Sequence, residues 1–237
     1  MNQPFKFKQF TVKQDRCAMK IGTDAVLLGA WTSVEQNPFS VLDIGSGTGV
    51  LSLMLAQRCP TAMVEALEID PEAYEQCVEN FENSTCSDRL FCYHASLLEY
   101  VDEVEDTYDI IICNPPFYSD SYKTEKEARN KARFQDAMPF EHLVYAASKL
   151  LSKTGIFSVI VPNTEEENFT LLASKVGLFP QRILHVKGNP NKDIKRTLIE
   201  FSKIEQESNT ATLIIETERH NYTKDYINLT KDFYLKM

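Results

Sequence analysis

The sequence predicts an α/β fold in which helices cover both faces of a mostly parallel sheet. First, short apolar runs rich in β-branched residues alternate with helical segments from Ser40 onward. Second, a glycine-rich loop joins the first of these strands to the helix that follows it. Third, Gly188-Asn189-Pro190-Asn191 separates two late strand-like runs, which predicts an antiparallel hairpin. We therefore expect a mostly parallel seven-stranded sheet with a C-terminal antiparallel hairpin.

The opening section, residues 1–39, precedes this alternation. Aromatic residues alternate with lysine or glutamine from Phe5 to Phe10, which is the period of a short edge strand. Thr23 or Asp24 is then expected to cap a helix that runs from 25 to 31. Asn37-Pro38 ends the section.

From Ser40 the chain repeats strand and helix. The predicted strands span 41–44, 63–69, 89–93, 108–113 and 155–161. The predicted helices span 50–58, 71–83, 140–151 and a segment that ends near Gly177, which Asn163 or Thr164 is expected to cap.

The last part of the chain changes character. The hairpin strands are expected at 182–187 and 196–202, with a further strand at 211–216. Tyr226, Leu229, Phe233 and Tyr234 recur at near-helical spacing, which predicts a helix packed on the core. We find no linker long enough to divide the chain, so we expect a single domain overall.

The charge balance limits the kinds of partner. A net charge of −9 argues against non-specific coating of nucleic acid, which needs clustered cations. Cations nevertheless gather in three places, and each is either a solvated face or a local binding surface. These clusters are Lys6, Lys8, Lys13, Arg16 and Lys20; Lys123, Lys126, Arg129, Lys131 and Arg133; and Lys187, Lys192, Lys195 and Arg196.

Cysteine and histidine spacing indicates neither a metal site nor a disulfide framework. The six cysteines form no CxxC pair, and the four histidines show no HxxxH spacing. Scattered thiols are typical of a reducing compartment. No segment resembles a membrane span or a signal peptide. We expect a soluble cytoplasmic protein that needs no metal.

Glycines mark a ligand site. The chain has eight glycines, and Gly45, Gly47 and Gly49 lie within five residues, between a strand and a helix. Open α/β sheets bind ligands at this position. The pattern DxGxGxG, which starts at Asp43, differs from the dinucleotide fingerprint GxGxxG and from the P-loop.

S-adenosylmethionine contains no pyrophosphate, so it suits a loop that lacks the pyrophosphate-binding patterns. Asp43 can face the cationic amino and sulfonium end of that molecule. Glu68, at the end of the second strand, can accept both ribose hydroxyls, and Asp70 is the nearby alternative. A glycine-rich turn without a ligand remains the competing interpretation.

Asn114-Pro115-Pro116-Phe117 follows the buried strand 108–113. Proline has no backbone N–H, so this corner presents carbonyls, an amide side chain and an aromatic ring. Such a corner suits a flat amine donor. The alternative is a strand ended by a Pro-Pro turn with an incidental Phe.

Together, these motifs resemble a known family. Asp43-Ile44-Gly45-Ser46-Gly47-Thr48-Gly49, Glu68 and the Asn-Pro-Pro-Phe tetrad resemble a class I S-adenosylmethionine-dependent methyltransferase with a Rossmann-like fold. The tetrad is similar to that of enzymes that methylate planar nitrogens. A closer resemblance, to bacterial tRNA1(Val) adenine-37 N6-methyltransferases, covers nearly the whole chain. It rests on 7–10, 15–20, 22–24, 27–31, 53–58, Asn221-Tyr222 and Phe233-Tyr234.

The resemblance implies different roles for the two parts of the chain. Residues 1–39 would be an N-terminal extension that packs on the cofactor site, and 40–237 the methyltransferase domain. Gly22, Thr23 and Asp24 would lie near the methionine end of S-adenosylmethionine. Many relatives place an Asp that binds the cofactor adenine where this chain has Ser96, which would supply one hydrogen bond instead.

The implied reaction is methylation of adenine N6 in tRNA. Asn114 and Pro115 would lie next to the cofactor and present carbonyls to the two N6 hydrogens. Phe117 would stack on the base, at a position where the family often has Tyr. Pro116 completes this catalytic corner. No oligomer is required. The segment from Ser119 to Asp136 would close over the site or hold RNA, through Lys123, Lys126, Arg129 and Arg133.

Two alternatives stay open at this point. In the first, the methylated substrate is a protein glutamine or a DNA adenine instead of tRNA. In the second, the chain is a cofactor-binding scaffold without catalysis. The intact tetrad argues against the scaffold, because an inactive protein has no need of that amide.

Overall fold

An eight-stranded sheet forms the centre of the protein in the computed structural model, which describes residues 3–116 and 138–236. The strands are β1 (Phe5–Lys6), β2 (Thr11–Val12), β3 (Ser40–Ile44), β4 (Met63–Glu68), β5 (Leu90–His94), β6 (Tyr108–Cys113), β7 (Leu151–Pro162), β8 (Phe179–Lys187), β9 (Ile194–Ser202), β10 (Asn209–Ile214), β11 (Glu216–Glu218) and β12 (Asn221–Tyr222). The helices are α1 (Thr23–Trp31), α2 (Val50–Arg58), α3 (Pro71–Glu82), α4 (Leu97–Glu103), α5 (Phe140–Leu150), α6 (Glu166–Lys175) and α7 (Lys224–Thr230).

The strand order across the sheet is β10-β8-β9-β7-β6-β3-β4-β5. Pairing is parallel from β7 through β5, while β9 runs antiparallel to both of its neighbours. The predicted fold class is therefore confirmed. The sheet gains an eighth strand because β10 adds parallel to β8 at the edge.

The order of connection reverses beside β3. The chain moves from β3 outward to β4 and β5, then returns to place β6 on the other side of β3. Ile44 is in register with Cys113, so the glycine loop after β3 and Asn114 after β6 leave the sheet side by side. This is the position at which open α/β sheets bind ligands.

Two apolar cores explain why the central strands are apolar on both faces. Val41, Ile110 and Ile112 pack on one side, against residues of α1, α2, α3 and α7. Leu42 and Ile111 pack on the other side, against residues of α4, α5 and α6. All five side chains are fully buried. Successive side chains on a strand point to opposite faces, which produces this division.

Helix starts differ from expectation. Gly22 is the N-cap of α1 and makes no side-chain cap hydrogen bond, so the prediction that Thr23 or Asp24 caps it was wrong. The α6 helix begins after a 3₁₀ turn at 163–165, and its N-cap is Glu165, so the expected cap at Asn163 or Thr164 was also wrong. The Asn163 amide donates instead to Glu166 and Thr197.

The two ends of the described chain lie together. Phe7 forms a β-bridge with Tyr234, and the N–H of Lys8 donates to the Phe233 carbonyl at 2.9 Å. Among residues 3–116 and 138–236, no helix has the length and apolar character that crossing a membrane requires.

Candidate active site

The glycine loop needs its glycines for backbone geometry. Gly47 and Gly49 have φ values of +54° and +76°, which side chains disfavour. A Cβ at Gly49 would also lie 2.6 Å from the Phe81 ring and 2.8 Å from Cys77 Sγ. A Cβ at Gly47 would meet nothing within 4 Å. The loop is therefore packed tightly at its helix end and open at Gly47.

Glu68 ties this loop to the neighbouring strand. Its Oε2 accepts a hydrogen bond from Gly47 N–H at 2.7 Å, and its Oε1 accepts from the N–H groups of Ile69 and Asp70, each at 2.9 Å. The side chain is 7% exposed, and burial raises its pKa above the ordinary value. Since each carboxylate oxygen has two lone pairs, Oε2 keeps one for a ligand hydroxyl.

Asp70, the alternative to Glu68, has a structural role. Its Oδ1 accepts from the N–H groups of Glu72 and Ala73 at 3.1 and 3.0 Å, which caps α3. Asp70 nevertheless lines the same pocket as Glu68.

Asp43 lies beneath the loop and is fully buried. Its Oδ2 accepts from the N–H and the hydroxyl of Ser52, at 3.1 and 2.6 Å. Its Oδ1 has no hydrogen-bond partner among the described residues. Burial raises the pKa of this carboxyl to about 7. Asp43 is not among the residues that line the pocket.

A pocket opens between the ends of β3, β4 and β6. Its lining combines the loop, the β4 end, the tetrad and a short N-terminal segment: Cys17, Ala18, Met19, Ile44, Gly45, Gly47, Leu67, Glu68, Ile69, Asp70, Ala73, Ala95, Leu97, Asn114, Pro116 and Met138. Most of these side chains are apolar, with a few carboxylate and amide groups. This is the usual composition of a small-molecule site.

Asn114 lines this pocket and carries a buried acceptor. Its side-chain oxygen, Oδ1, is buried and has no hydrogen-bond partner in the part of the chain that the structure describes. An unpaired buried acceptor costs free energy that a ligand donor recovers. Asn114 therefore carries the hydrogen-bonding capacity that an incoming amine would satisfy.

The N-terminal segment is fastened to α3. Gln76 Oε1 accepts from the backbone N–H groups of Asp15 and Arg16, at 3.1 and 3.2 Å. Asn80 exchanges hydrogen bonds with the backbone of Lys13, at 2.8 and 2.9 Å. These contacts hold Cys17, Ala18 and Met19 over the pocket.

Cys17 lines the pocket, where its surroundings favour the neutral thiol. Burial, together with the negative charges of Glu68, Asp70 and Asp15, raises the pKa of its thiol to about 12. It is therefore protonated at neutral pH and contributes surface, not charge. The sequence singled out 15–20 as a motif but not as pocket lining, and nothing in the sequence pointed to Met138.

Ser96 is occupied by helix capping. Its hydroxyl donates to Glu99 Oε2 at 2.7 Å and accepts from Glu99 N–H at 3.3 Å, which forms a capping box for α4. Its neighbours Ala95 and Leu97 line the pocket, whereas Ser96 is not among the lining residues.

Gly22 and Thr23 line a second cleft, next to the pocket, with residues from both ends of the chain. Asp24 pairs with Arg196, whose Nε donates to Asp24 Oδ2 at 2.8 Å. None of the three lines the first pocket.

Part of the predicted site falls outside the described residues. Phe117 does so, as do the cations expected to hold RNA: Lys123, Lys126, Arg129 and Arg133.

The described residues fit S-adenosylmethionine. The loop is open at Gly47, Glu68 has one free lone pair for a hydroxyl, and apolar side chains surround the rest of the pocket. Asn114 Oδ1, unpaired among the described residues, can accept a hydrogen bond from a second, amine-bearing molecule.

Comparisons with known proteins point to the same chemistry. The family profile described as Methyltransferase small domain matches residues 20–181. A tRNA1(Val) (adenine(37)-N6)-methyltransferase from Flavobacterium psychrophilum is 60% identical over 98% of this chain and 100% of its own length. Its counterpart from Bacteroides fragilis is 46% identical, with 100% of both chains covered.

Solved structures share the fold. A predicted O-methyltransferase from Agrobacterium tumefaciens superposes with a TM-score of 0.70 at 20% identity, over 89% of this chain and 96% of that one. Pyrococcus horikoshii TYW2 in complex with MeSAdo superposes with a TM-score of 0.58 at 17% identity, over 85% and 71% of the two chains. At these identities the likeness concerns the fold alone.

Proposed function

This chain belongs to the tRNA1(Val) (adenine(37)-N6)-methyltransferase family, and we propose that it methylates N6 of an adenine in tRNA at the corner that Asn114 forms after β6. S-adenosylmethionine is the cofactor. The adenine is that at position 37 in the anticodon loop of a valine tRNA. The observation that carries the proposal is the buried Oδ1 of Asn114, which has no partner among the described residues, on a side chain that lines a pocket with the glycine loop.

The chemical difficulty lies in the amine. The lone pair of adenine N6 is delocalised into the ring, so the nitrogen is a weak nucleophile. Asn114 Oδ1 and the Pro115 carbonyl accept hydrogen bonds from its two N–H groups, which favours a tetrahedral nitrogen and directs the lone pair into the pocket. When bound, S-adenosylmethionine supplies a methyl group activated by a sulfonium. Positioning of this kind supplies a large part of many enzymatic rate enhancements.

The other site residues hold and orient the cofactor and the target base. Gly45 and Gly47 line the pocket and let the cofactor approach the backbone, whereas Gly49 lets the loop pack against Phe81 and Cys77. Glu68 accepts a ribose hydroxyl on its free lone pair. Asp43 stays a candidate for facing the cationic end, Asp70 for the ribose, and Ser96 for the adenine. Gly22, Thr23 and Asp24 remain candidates for the methionine end. Pro116 shapes the corner, and Phe117 stacks on the target base.

The substrate is held at several places. We retain Lys123, Lys126, Arg129 and Arg133 as phosphate contacts on the segment that follows the tetrad. Residues 1–39 act as an extension that covers the cofactor, which the fastening of Asp15 and Arg16 to Gln76 supports. The protein works in the cytoplasm, where its tRNA is found.

Incubation with labelled S-adenosylmethionine tests the proposal. The protein is given unmodified tRNA, DNA and a protein fraction in parallel, and digested RNA is analysed for N6-methyladenosine by mass spectrometry. We expect label in tRNA, at adenine 37 of the valine isoacceptor. Label in DNA or in protein glutamine would assign the alternative substrates. No label in any fraction, with cofactor binding retained, would indicate a scaffold.

A further inference from the structure

The second cleft is lined by aromatic rings and cations. Phe5, Tyr222, Tyr226 and Tyr234 contribute rings, and Lys6 and Lys236 contribute charge; Ile21, Gly22, Thr23 and Leu235 complete the lining. None of these residues is among those that line the pocket with Asn114. The cleft is therefore a separate site built from both ends of the described chain.

The four aromatic rings differ in how much of their surface is buried by packing. Tyr226 is buried, with 3% exposed, and Phe5 packs against the Phe7 ring at a centroid distance of 4.7 Å. Tyr222 is 38% exposed, and its ring packs against that of Tyr226 at a centroid distance of 5.2 Å. Tyr222 thus offers an accessible ring, supported from behind by a buried one.

The cleft lies next to the candidate active site. Met19 lines the first pocket and Ile21 lines the cleft, so their Cα atoms are at most about 7 Å apart. Asp24, the neighbour of Thr23, pairs with Arg196, which is in register with the last residue of β7. The cleft therefore opens near the carboxyl edge of the sheet, where Asn114 lies.

Aromatic rings beside lysines suit the binding of unpaired nucleotides. Bases of any sequence stack on an aromatic face, and cations attract the adjoining phosphates. Sequence-specific RNA recognition targets loops whose bases can be splayed out of the stack. An anticodon loop that delivers one base to Asn114 presents its neighbours within a short distance.

We propose that this cleft binds an unstacked nucleotide of the substrate tRNA that flanks the methylated adenine. Its base stacks on Tyr222, and its phosphate is attracted by Lys6 and Lys236. The proposal rests on the proposed function, because it takes tRNA as the substrate. It adds a subsite that positions the loop while Asn114 holds the reactive base.

Substitution of Tyr222 tests the stacking. Tyr222→Ala removes the ring, and Tyr222→Phe keeps it. Phe39→Ala is the matched control, because Phe39 is 69% exposed and precedes β3, at the opposite edge of the sheet. For each variant, tRNA affinity is measured by filter binding, S-adenosylmethionine affinity by calorimetry, and KM and kcat with tRNA.

We expect Tyr222→Ala to weaken tRNA binding and raise KM for tRNA by about tenfold, within the range for loss of one base stack. Tyr222→Phe and Phe39→Ala should stay within about twofold of the wild type, and cofactor affinity should stay unchanged in all variants. Unchanged tRNA binding in Tyr222→Ala would overturn the proposal. A parallel loss of cofactor affinity would also overturn it, because it would indicate a structural role.

A fluorescent variant gives a direct readout. The chain has one tryptophan, Trp31, which is 9% exposed, so Tyr222→Trp adds an accessible reporter. Its emission should be quenched when the valine anticodon stem-loop binds, and absence of quenching would contradict stacking. If Tyr222→Ala changed the sedimentation of the protein alone, the cleft would belong to a contact between copies. Failure of wild-type tRNA methylation would refute the proposed function itself, which is a separate outcome.

Discussion

The backbone N–H of Gly47 donates to Glu68 Oε2 at 2.7 Å, which links the loop after β3 to the end of β4. Gly47 has open space on its side-chain face, and Glu68 lines the same pocket. One carboxylate therefore sets the loop conformation and lines the pocket. Its other oxygen is already occupied by the N–H groups of Ile69 and Asp70.

Glu68→Gln should weaken binding of S-adenosylmethionine. The amide NH₂ group replaces an oxygen that accepts hydrogen bonds, so it repels an N–H donor and leaves the ribose without an ionised acceptor. Hydrogen bonds to charged groups are worth about 1.5–3 kcal/mol, so we expect the Kd to rise by about 10- to 100-fold. Calorimetry with S-adenosylhomocysteine measures this loss.

A ribose-modified ligand separates the two roles of Glu68. A deoxyribose analogue should bind the wild type more weakly than the parent ligand, and the two should bind Glu68→Gln equally. Asp70→Asn is the comparison variant, because Asp70 caps α3 and lines the same pocket. If Asp70→Asn alone removed discrimination between the two ligands, the ribose contact would belong to Asp70.

Asn114→Ala should nearly abolish turnover while leaving cofactor affinity within about twofold. The variant loses the buried acceptor Oδ1, which has no hydrogen-bond partner among residues 3–116 and 138–236 and which we propose pairs with the amine. Loss of one preorganised polar group in an active site reduces kcat by about 10²–10³. Single-turnover methylation of tRNA measures the effect. Retained turnover would contradict the assigned role of Asn114.

The sequence predicted those parts of the fold that depend on short-range pattern. The helix at 50–58 and the strand at 108–113 were placed at their observed bounds, because a glycine loop and a β-branched run mark them clearly. The α4 helix was missed, although Ser96 and Glu99 form the spacing of a capping box. The caps at Asp24 and Asn163 failed because tertiary partners, Arg196 and Thr197, bind those side chains instead.

The sequence pattern predicted only part of the site. Chain order placed the glycine loop, Glu68 and Asn114 at one edge of the sheet, and all three line the pocket. The contributions of Cys17 and Met138 depend on how distant segments pack, which no local pattern encodes. The position of Gly22 and Thr23 beside Tyr222 likewise follows from the meeting of the two chain ends.

The buried carboxyl of Asp43 should make stability depend on pH. Its pKa is about 7 in the folded protein, against an ordinary value of 3.8. Between these values the unfolded chain has released the proton and the folded chain retains it, so stability falls as pH rises from about 4 to 7. At about 1.4 kcal/mol per pKa unit, the loss approaches roughly 4 kcal/mol.

Asp43→Asn removes this titration. Relative to the wild type, the variant should become more stable as pH rises through that window, which urea unfolding at a series of pH values measures. A constant difference between the two proteins from pH 4 to 7 would mean that Asp43 does not titrate within it.

The hairpin between β8 and β9 should contribute to tRNA binding through Lys192 and Lys195. Both lysines are exposed, whereas Arg196 is paired with Asp24. Arg196 lies on β9 and is in register with Pro162 at the carboxyl end of β7. The β9 strand is two strands away from β6 in the sheet. At about 4.8 Å per strand and 3.3 Å per residue, the hairpin begins roughly 10–15 Å from Asn114. That distance is within reach of phosphates in the same RNA loop and stem.

Reversal of both charges, Lys192→Glu with Lys195→Glu, should weaken tRNA binding at least tenfold and leave cofactor affinity unchanged. The slope of log K against log salt should fall by about 1 to 2, because contacts to one or two phosphates are lost. The matched control is Lys153→Glu with Lys175→Glu, since both lysines are exposed and lie toward the opposite edge of the sheet. Equal losses in both double variants would mean that only net charge matters, and that the hairpin is a solvated face without a contact of its own.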